Sequence, residues 1–157
     1  MRSVRIQLHI PDKTAAEVYA TLADFETYPQ LAPAVQEVKV TRVAENVTQS
    51  SWEVTFRAGL LRWTEEDVFD PAALTITFRQ LAGDIALFDG TWECADLATG
   101  TSLVFAARLD MGIPSLADAL EPIAVRTLIE NTVSIVNGLV GGTAELVGTD
   151  VAVPAGV

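Results

Sequence analysis

The chain has 157 residues, half of them apolar and 20% charged, which fits one globular domain of about 100–200 residues and argues against disorder. Twenty-one acidic against ten basic residues leave a formal charge of −11, a field that repels nucleic acid and anionic lipid surfaces. A single cysteine (Cys94) and a single histidine (His9) exclude an internal disulfide, a thiolate metal cluster and an HExxH zinc site, and the GxGxxG and GxxxxGKS/T phosphate loops are absent.

Met1-Arg2-Ser3-Val4-Arg5 lacks the apolar stretch of a signal peptide, and no apolar run reaches the roughly 18–20 residues that span a bilayer. The expectation is a cytoplasmic protein with no membrane insertion. Residues 3–10 alternate, with Val4, Ile6, Leu8 and Ile10 on one face and Arg5, Gln7 and His9 on the other, which predicts a half-buried strand. Pro11-Asp12-Lys13-Thr14 ends that strand and caps a short helix carrying Ala15, Val18, Tyr19 and Leu22 on one side. Asp24 to Pro29 breaks the helix, and Pro33 prevents a long second one. Strands follow near 35–44, 49–58, 61–70, 73–82, 85–96 and 101–110, joined by short turns such as Glu45-Asn46, Ala58-Gly59 and Ala82-Gly83-Asp84. Such a run forms an antiparallel meander rather than βαβ units.

After Gly112-Ile113-Pro114 comes the one long helical segment. Ser115 is its expected cap, and Leu116, Leu120, Ile123, Leu128, Ile135 and Leu139 supply its apolar face. Pro122 is expected to kink or divide this helix, and Gly138 with Gly141-Gly142 to end it. One domain is expected over residues 1–140, with 141–157 as a loose tail. A long helix against a strongly curved sheet leaves an apolar cavity between them.

This order and its local sequences resemble the START-like helix-grip superfamily, and within it the polyketide cyclase/dehydrase and coenzyme Q-binding group. Carrying the resemblance are Asp24-Phe25-Glu26-Thr27-Tyr28-Pro29, Trp63 with Asp70-Pro71, the stretch from Gly83 through Gly90-Thr91-Trp92, Gly100-Thr101 and Leu109-Asp110-Met111. The resemblance implies an α+β helix-grip fold, a curved antiparallel β-sheet wrapped around a long C-terminal helix with an apolar cavity. It implies no metal or redox cofactor. Aromatase/cyclases of this group use an arginine, a tyrosine and a glutamine at places that fall here on Asp67, Val35 and Ala107. All three differ.

Strand alternation puts Leu61, Trp63, Glu65, Asp67 and Phe69 on one face, the face that lines the cavity in the group resembled. A carboxyl in an apolar pocket is poorly solvated as an anion, and two close together do not both ionise easily. Glu65 and Asp67 are therefore the candidate catalytic pair, able to give and take protons near neutral pH. The competing reading makes Glu65-Glu66-Asp67 a solvated charged run. Candidate ligand contacts are Trp63 and Trp92, Phe78 and Phe105, Gln80, Asn131 in a polar stripe with Thr127 and Ser134, and Tyr28 at the cavity mouth. Each has a structural alternative: packing for the aromatics, a strand end reaching water for Gln80, the solvated helix edge for the stripe, a loop anchor for Tyr28. His9 belongs on the surface and Cys94 in the core as a small filler. Arg57, Arg62, Arg79 and Arg108 fall on outer faces, either as solvated exterior or as a local basic patch for an acyl carrier protein.

The leading expectation is a polyketide cyclase/dehydratase-like protein that binds a hydrophobic polyketide or natural-product intermediate and assists ring closure or water loss. The alternative is a non-catalytic carrier of a hydrophobic molecule such as a quinone or lipid. A third is a module that binds a protein partner through its outer surface.

Overall fold

The computed structural model describes residues 1–112 and 117–153, with the backbone alone for 117–119. The first strand, β1 (Arg2–Pro11), buries Val4, Ile6, Leu8 and Ile10 and turns Arg5 to solvent, as its alternation requires. Burying each of those side chains contributes about 1.5–3 kcal/mol. Helix α1 (Ala15–Ala23) begins at Thr14, whose hydroxyl accepts the Glu17 N–H at 3.1 Å, and it buries Ala15, Val18, Tyr19 and Leu22. A 3-10 turn at Phe25–Thr27 leads into the one-turn helix α2 (Tyr28–Leu31).

The meander comprises β2 (Val35–Ala44), β3 (Val47–Phe56), β4 (Gly59–Asp70), β5 (Thr75–Gly83), β6 (Leu87–Leu97) and β7 (Gly100–Asp110). Helix α3 (Ala117–Leu139) follows, and β8 (Glu145–Ala152) completes the described elements. The strands form one sheet in the order β2-β3-β4-β5-β6-β7-β1-β8, and every pair is antiparallel. This is the helix-grip fold. α3 is held to the sheet by Asn131, whose side-chain amide donates to the Thr55 carbonyl at 2.8 Å.

Several elements depart from expectation. Residues 145–152, expected loose, form β8 along β1, from Ser3 opposite Ala152 to His9 opposite Glu145. Every residue of β8 is exposed, so the strand rests on backbone hydrogen bonds and has no buried face to leave an alternating pattern. The β3–β4 turn falls at Arg57-Ala58, two residues earlier than the strand estimates, with Arg57 in the left-handed region at φ 57°. α3 is not divided at Pro122, and Gly138 lies inside it. Gly138 instead permits a close approach, since a Cβ there would collide with the Leu31 carbonyl of α2. Ile123, expected on the apolar face, is 42% exposed, while Ala124, Val125, Val136 and Leu139 are buried. Ser115 and Leu116 lie outside the described residues. No described helix is long and apolar enough to cross a membrane.

Candidate functional site

Between the sheet and α3 lies a cavity of about 100 Å³. Its size is near the roughly 150 Å³ at which an apolar protein cavity takes up benzene. Nine of the chain's eleven aromatic residues line it. Their rings form a continuous band: Trp52 stacks on Trp63 with centroids 6.0 Å apart, Trp63 meets Phe88 edge-on at 5.6 Å, and Phe88, Phe78, Phe105 and Trp92 continue at 4.5–5.8 Å. Strand alternation produces the band, because successive inward positions on neighbouring strands fall side by side.

Against the apolar wall stands Glu65. It lines the cavity, is 6% exposed, and accepts the Trp63 indole N–H on Oε1 at 2.7 Å. Asp67, two residues along the same face of β4, is fully buried and lies behind the wall rather than in it. Its Oδ2 accepts the Ser50 hydroxyl at 2.6 Å and the Thr48 hydroxyl at 3.0 Å, and Ser50 in turn accepts the Trp52 indole N–H at 2.8 Å. Oδ1 of Asp67 has no donor of its own. Burial, then the hydrogen bond with Asp67 and its charge, push the Glu65 carboxyl well above the usual range, against the smaller opposing effect of the Trp63 N–H. The buried Glu65 carboxyl therefore favours its neutral form.

The solvated reading of Glu65-Glu66-Asp67 is wrong for the two inward acids; Glu66 alone of the three turns outward, where Arg79 lies 3.6 Å from it. Of the sequence-predicted ligand contacts, Trp63, Trp92, Phe78, Phe105, Asn131 and Tyr28 line the cavity. Gln80 does not. It sits opposite Glu65 on β5, but its amide is spent on the Ile85 carbonyl at 2.6 Å, where it pins the turn into β6. Asn131 lines the cavity while bracing α3, Thr127 bonds back to Ile123 within the helix, and Ser134 is exposed. Tyr28 combines both of its readings: its ring lines the cavity and its hydroxyl anchors on the Leu22 carbonyl at 2.6 Å. Burial first, then Glu65 and Asp67, hold that phenol well above its ordinary value, so it stays a neutral donor.

Sequence reasoning missed Thr132, a buried polar residue of the helix wall, and the hydroxyls of Thr48 and Ser50. A signal for Ser50 exists. It shares the inward parity of Trp52 and Val54 and falls opposite Glu65 in the β3–β4 register. Cys94 is buried, and desolvation with the neighbouring Glu93 charge pushes its thiol up to about 12, which leaves it inert as a nucleophile. His9 points away from the cavity, towards Thr99 and Glu145.

The family model described as polyketide cyclase / dehydrase and lipid transport matches residues 12–134. The chain belongs to this family. Among solved structures similar to it is the Thermus thermophilus protein TTHA0849, at 26% identity and TM-score 0.81, covering 90% of this chain and 96% of that one. The Zhui aromatase/cyclase from a Streptomyces species has 19% identity and TM-score 0.77, over 90% of this chain and 93% of that one. A START superfamily protein from Mycobacterium smegmatis has 18% identity and TM-score 0.75, over 90% and 98%. No curated protein sequence matches significantly.

Within this polyketide cyclase/dehydrase family fold, the three positions where an arginine, a tyrosine and a glutamine were expected are occupied by Asp67, Val35 and Ala107. All three are buried, and none lines the cavity. The cavity therefore presents another polar set, Glu65 with Asn131 and Thr132. On the outer faces, Arg62 pairs with Glu53 at 3.2 Å, Arg79 with Glu66 at 3.6 Å and Arg108 with Asp89 at 2.8 Å. Three of the four arginines of the expected basic patch are thus neutralised locally.

Proposed function

We propose that this protein binds a hydrophobic polyketide-like or related natural-product intermediate in its cavity and assists cyclisation or dehydration, with Glu65 as the catalytic acid. The observation that carries this reading is a buried carboxyl on the wall of an aromatic cavity, held well above the usual carboxylate range by burial and by the neighbouring Asp67. In a dehydration, Glu65 delivers its proton to the departing hydroxyl, which leaves as water. The α-carbon gives up one proton to the carboxylate so formed, and the acid is restored as the double bond forms. Asp67 is a positioning residue: it touches no ligand and sets the proton on Glu65. Confinement in a ring-sized space supplies the geometry of closure.

A second reading, a carrier without chemistry, is favoured by the replacement of the three family positions and by a lining with few polar groups. Native mass spectrometry of the purified protein, followed by identification of the extracted ligand, tests both. A polyketide-like molecule that turns over with wild type, and binds but does not turn over with Glu65→Gln, supports the enzyme. A quinone or lipid retained unchanged, or turnover undiminished in Glu65→Gln, overturns it. An acyl carrier protein as donor of the ligand is the weaker part of the reading, given the paired arginines.

A further inference from the structure

The ionic character of the cavity is one-sided. Every Lys, Arg and His of the chain lies among the described residues, and none of them lines the cavity. Glu65 is on the wall, the fully buried Asp67 sits directly behind it, and Asp67 Oδ1 is an unpartnered acceptor. The hydroxyls of Ser50 and Thr48 donate to Asp67 Oδ2, and neither brings a positive charge to the acids. Nine aromatic residues line the same cavity, and ring faces carry negative electrostatic potential. A buried negative charge in a poorly polarisable surround acts over several ångströms, since the effective dielectric is far below that of water.

We propose that the cavity selects its ligand by the sign of its charge, seating a ring-sized apolar molecule whose charged group is an ammonium and turning away the carboxylate of the same shape. The ammonium sits against Glu65 and the faces of Trp63 and Phe88, where two carboxyls and no cation meet its positive charge. A carboxylate meets the same two acids with no cation to receive it. The ligand class thereby widens from neutral carbonyl compounds to hydrophobic amines, and free aromatic and fatty acids fall outside it. This inference rests on the cavity being a ligand site; it does not require the protein to be a catalyst.

Benzylamine, benzyl alcohol and benzoate share one ring and differ in charge, and all three can be titrated against the wild-type protein at pH 7 by quenching of tryptophan fluorescence. The expected order is amine, then alcohol, then carboxylate, with amine and carboxylate separated by about 100-fold or more. Loss of hydration penalises both ions alike, so the gap between them reads the sign of the site rather than its dryness. The double variant Glu65→Gln/Asp67→Asn removes both carboxyls and should shrink that gap by about tenfold or more. Should the double variant fail to fold, the three wild-type constants decide the matter alone. Amine and carboxylate binding alike, both weaker than the alcohol, overturns charge selection and leaves the apolar ligand site standing. A gap that survives the double variant overturns the assignment to the acid pair. Failure of all three to bind, the neutral alcohol included, overturns the ligand site itself and this inference with it.

Discussion

Trp52 and Trp63 lie directly opposite each other on β3 and β4, their rings 5° from parallel, and each turns its indole N–H towards the buried acids. Trp63 donates to Glu65 itself, while Trp52 donates to Ser50, which passes a hydrogen bond on to Asp67. The stacked pair is thus both the apolar wall of the cavity and the support of its polar centre. An indole suits the position because it offers a flat face and one donor.

The state of Glu65 makes stability depend on pH in a definite direction. Unfolded, its carboxyl titrates near the ordinary value of about 4.3; folded, it keeps its proton well above that. Its contribution is therefore fully present below about pH 4 and is lost as pH rises through the folded-state value, at a slope of up to about 1.4 kcal/mol per pH unit. Glu65→Gln lacks this slope. Urea unfolding between pH 4 and 8 should show the variant gaining on wild type as pH rises, and parallel profiles would contradict the neutral assignment.

Trp63→Phe keeps the aromatic wall and deletes one donor. The indole N–H is the interaction that lowers the Glu65 carboxyl, so its loss should move that group's titration further up. The protonated-carboxyl stretch in the infrared, with Glu65→Gln as the blank, follows this directly. An unmoved or lowered midpoint would mean that the indole does not set the proton.

Ser50→Ala withdraws the 2.6 Å hydroxyl from Asp67 Oδ2 and also leaves the Trp52 N–H without its acceptor. A hydrogen bond contributes about 0.5–1.5 kcal/mol and a buried group left without a partner costs about 1–3 kcal/mol, and Ser50 is fully buried, so no bulk water replaces it. A loss of about 2–4 kcal/mol is expected in urea unfolding at pH 7. A loss under about 0.5 kcal/mol would show that the network is slack.

Much of this was legible in the sequence wherever burial was one-sided. β1 and α1 bury the residues that their periods of 2 and 3.6 select, and the inward face of β4 follows from its alternation. The depth of Asp67 was not legible, because a Glu-Glu-Asp run reads the same in solvent as in a core; its position follows from Ser50 and Thr48 on a different strand. Gln80 has the right parity but is drawn away by a local need. The Ile85 carbonyl, five residues along the chain, claims its amide. β8 is invisible to periodicity because neither of its faces is buried.

Gly138 separates a helix-propensity argument from a packing one. Alanine in a helix interior is better than glycine by about 1 kcal/mol, so propensity alone predicts that Gly138→Ala stabilises α3. A Cβ at this position, however, would collide with the Leu31 carbonyl oxygen, and it would stand 3.1 Å from the Leu31 carbonyl carbon and 3.3 Å from the Ala32 Cα. These are backbone atoms and cannot rotate aside. α2 and α3 must move apart, at a net cost of about 1–3 kcal/mol. α2 starts at Tyr28, whose ring lines the cavity, so the displacement reaches the site. Thermal unfolding should show a lowered midpoint, and benzyl alcohol should bind more weakly than to wild type. A raised midpoint with unchanged binding would mean that the two helices are not held at this distance in solution.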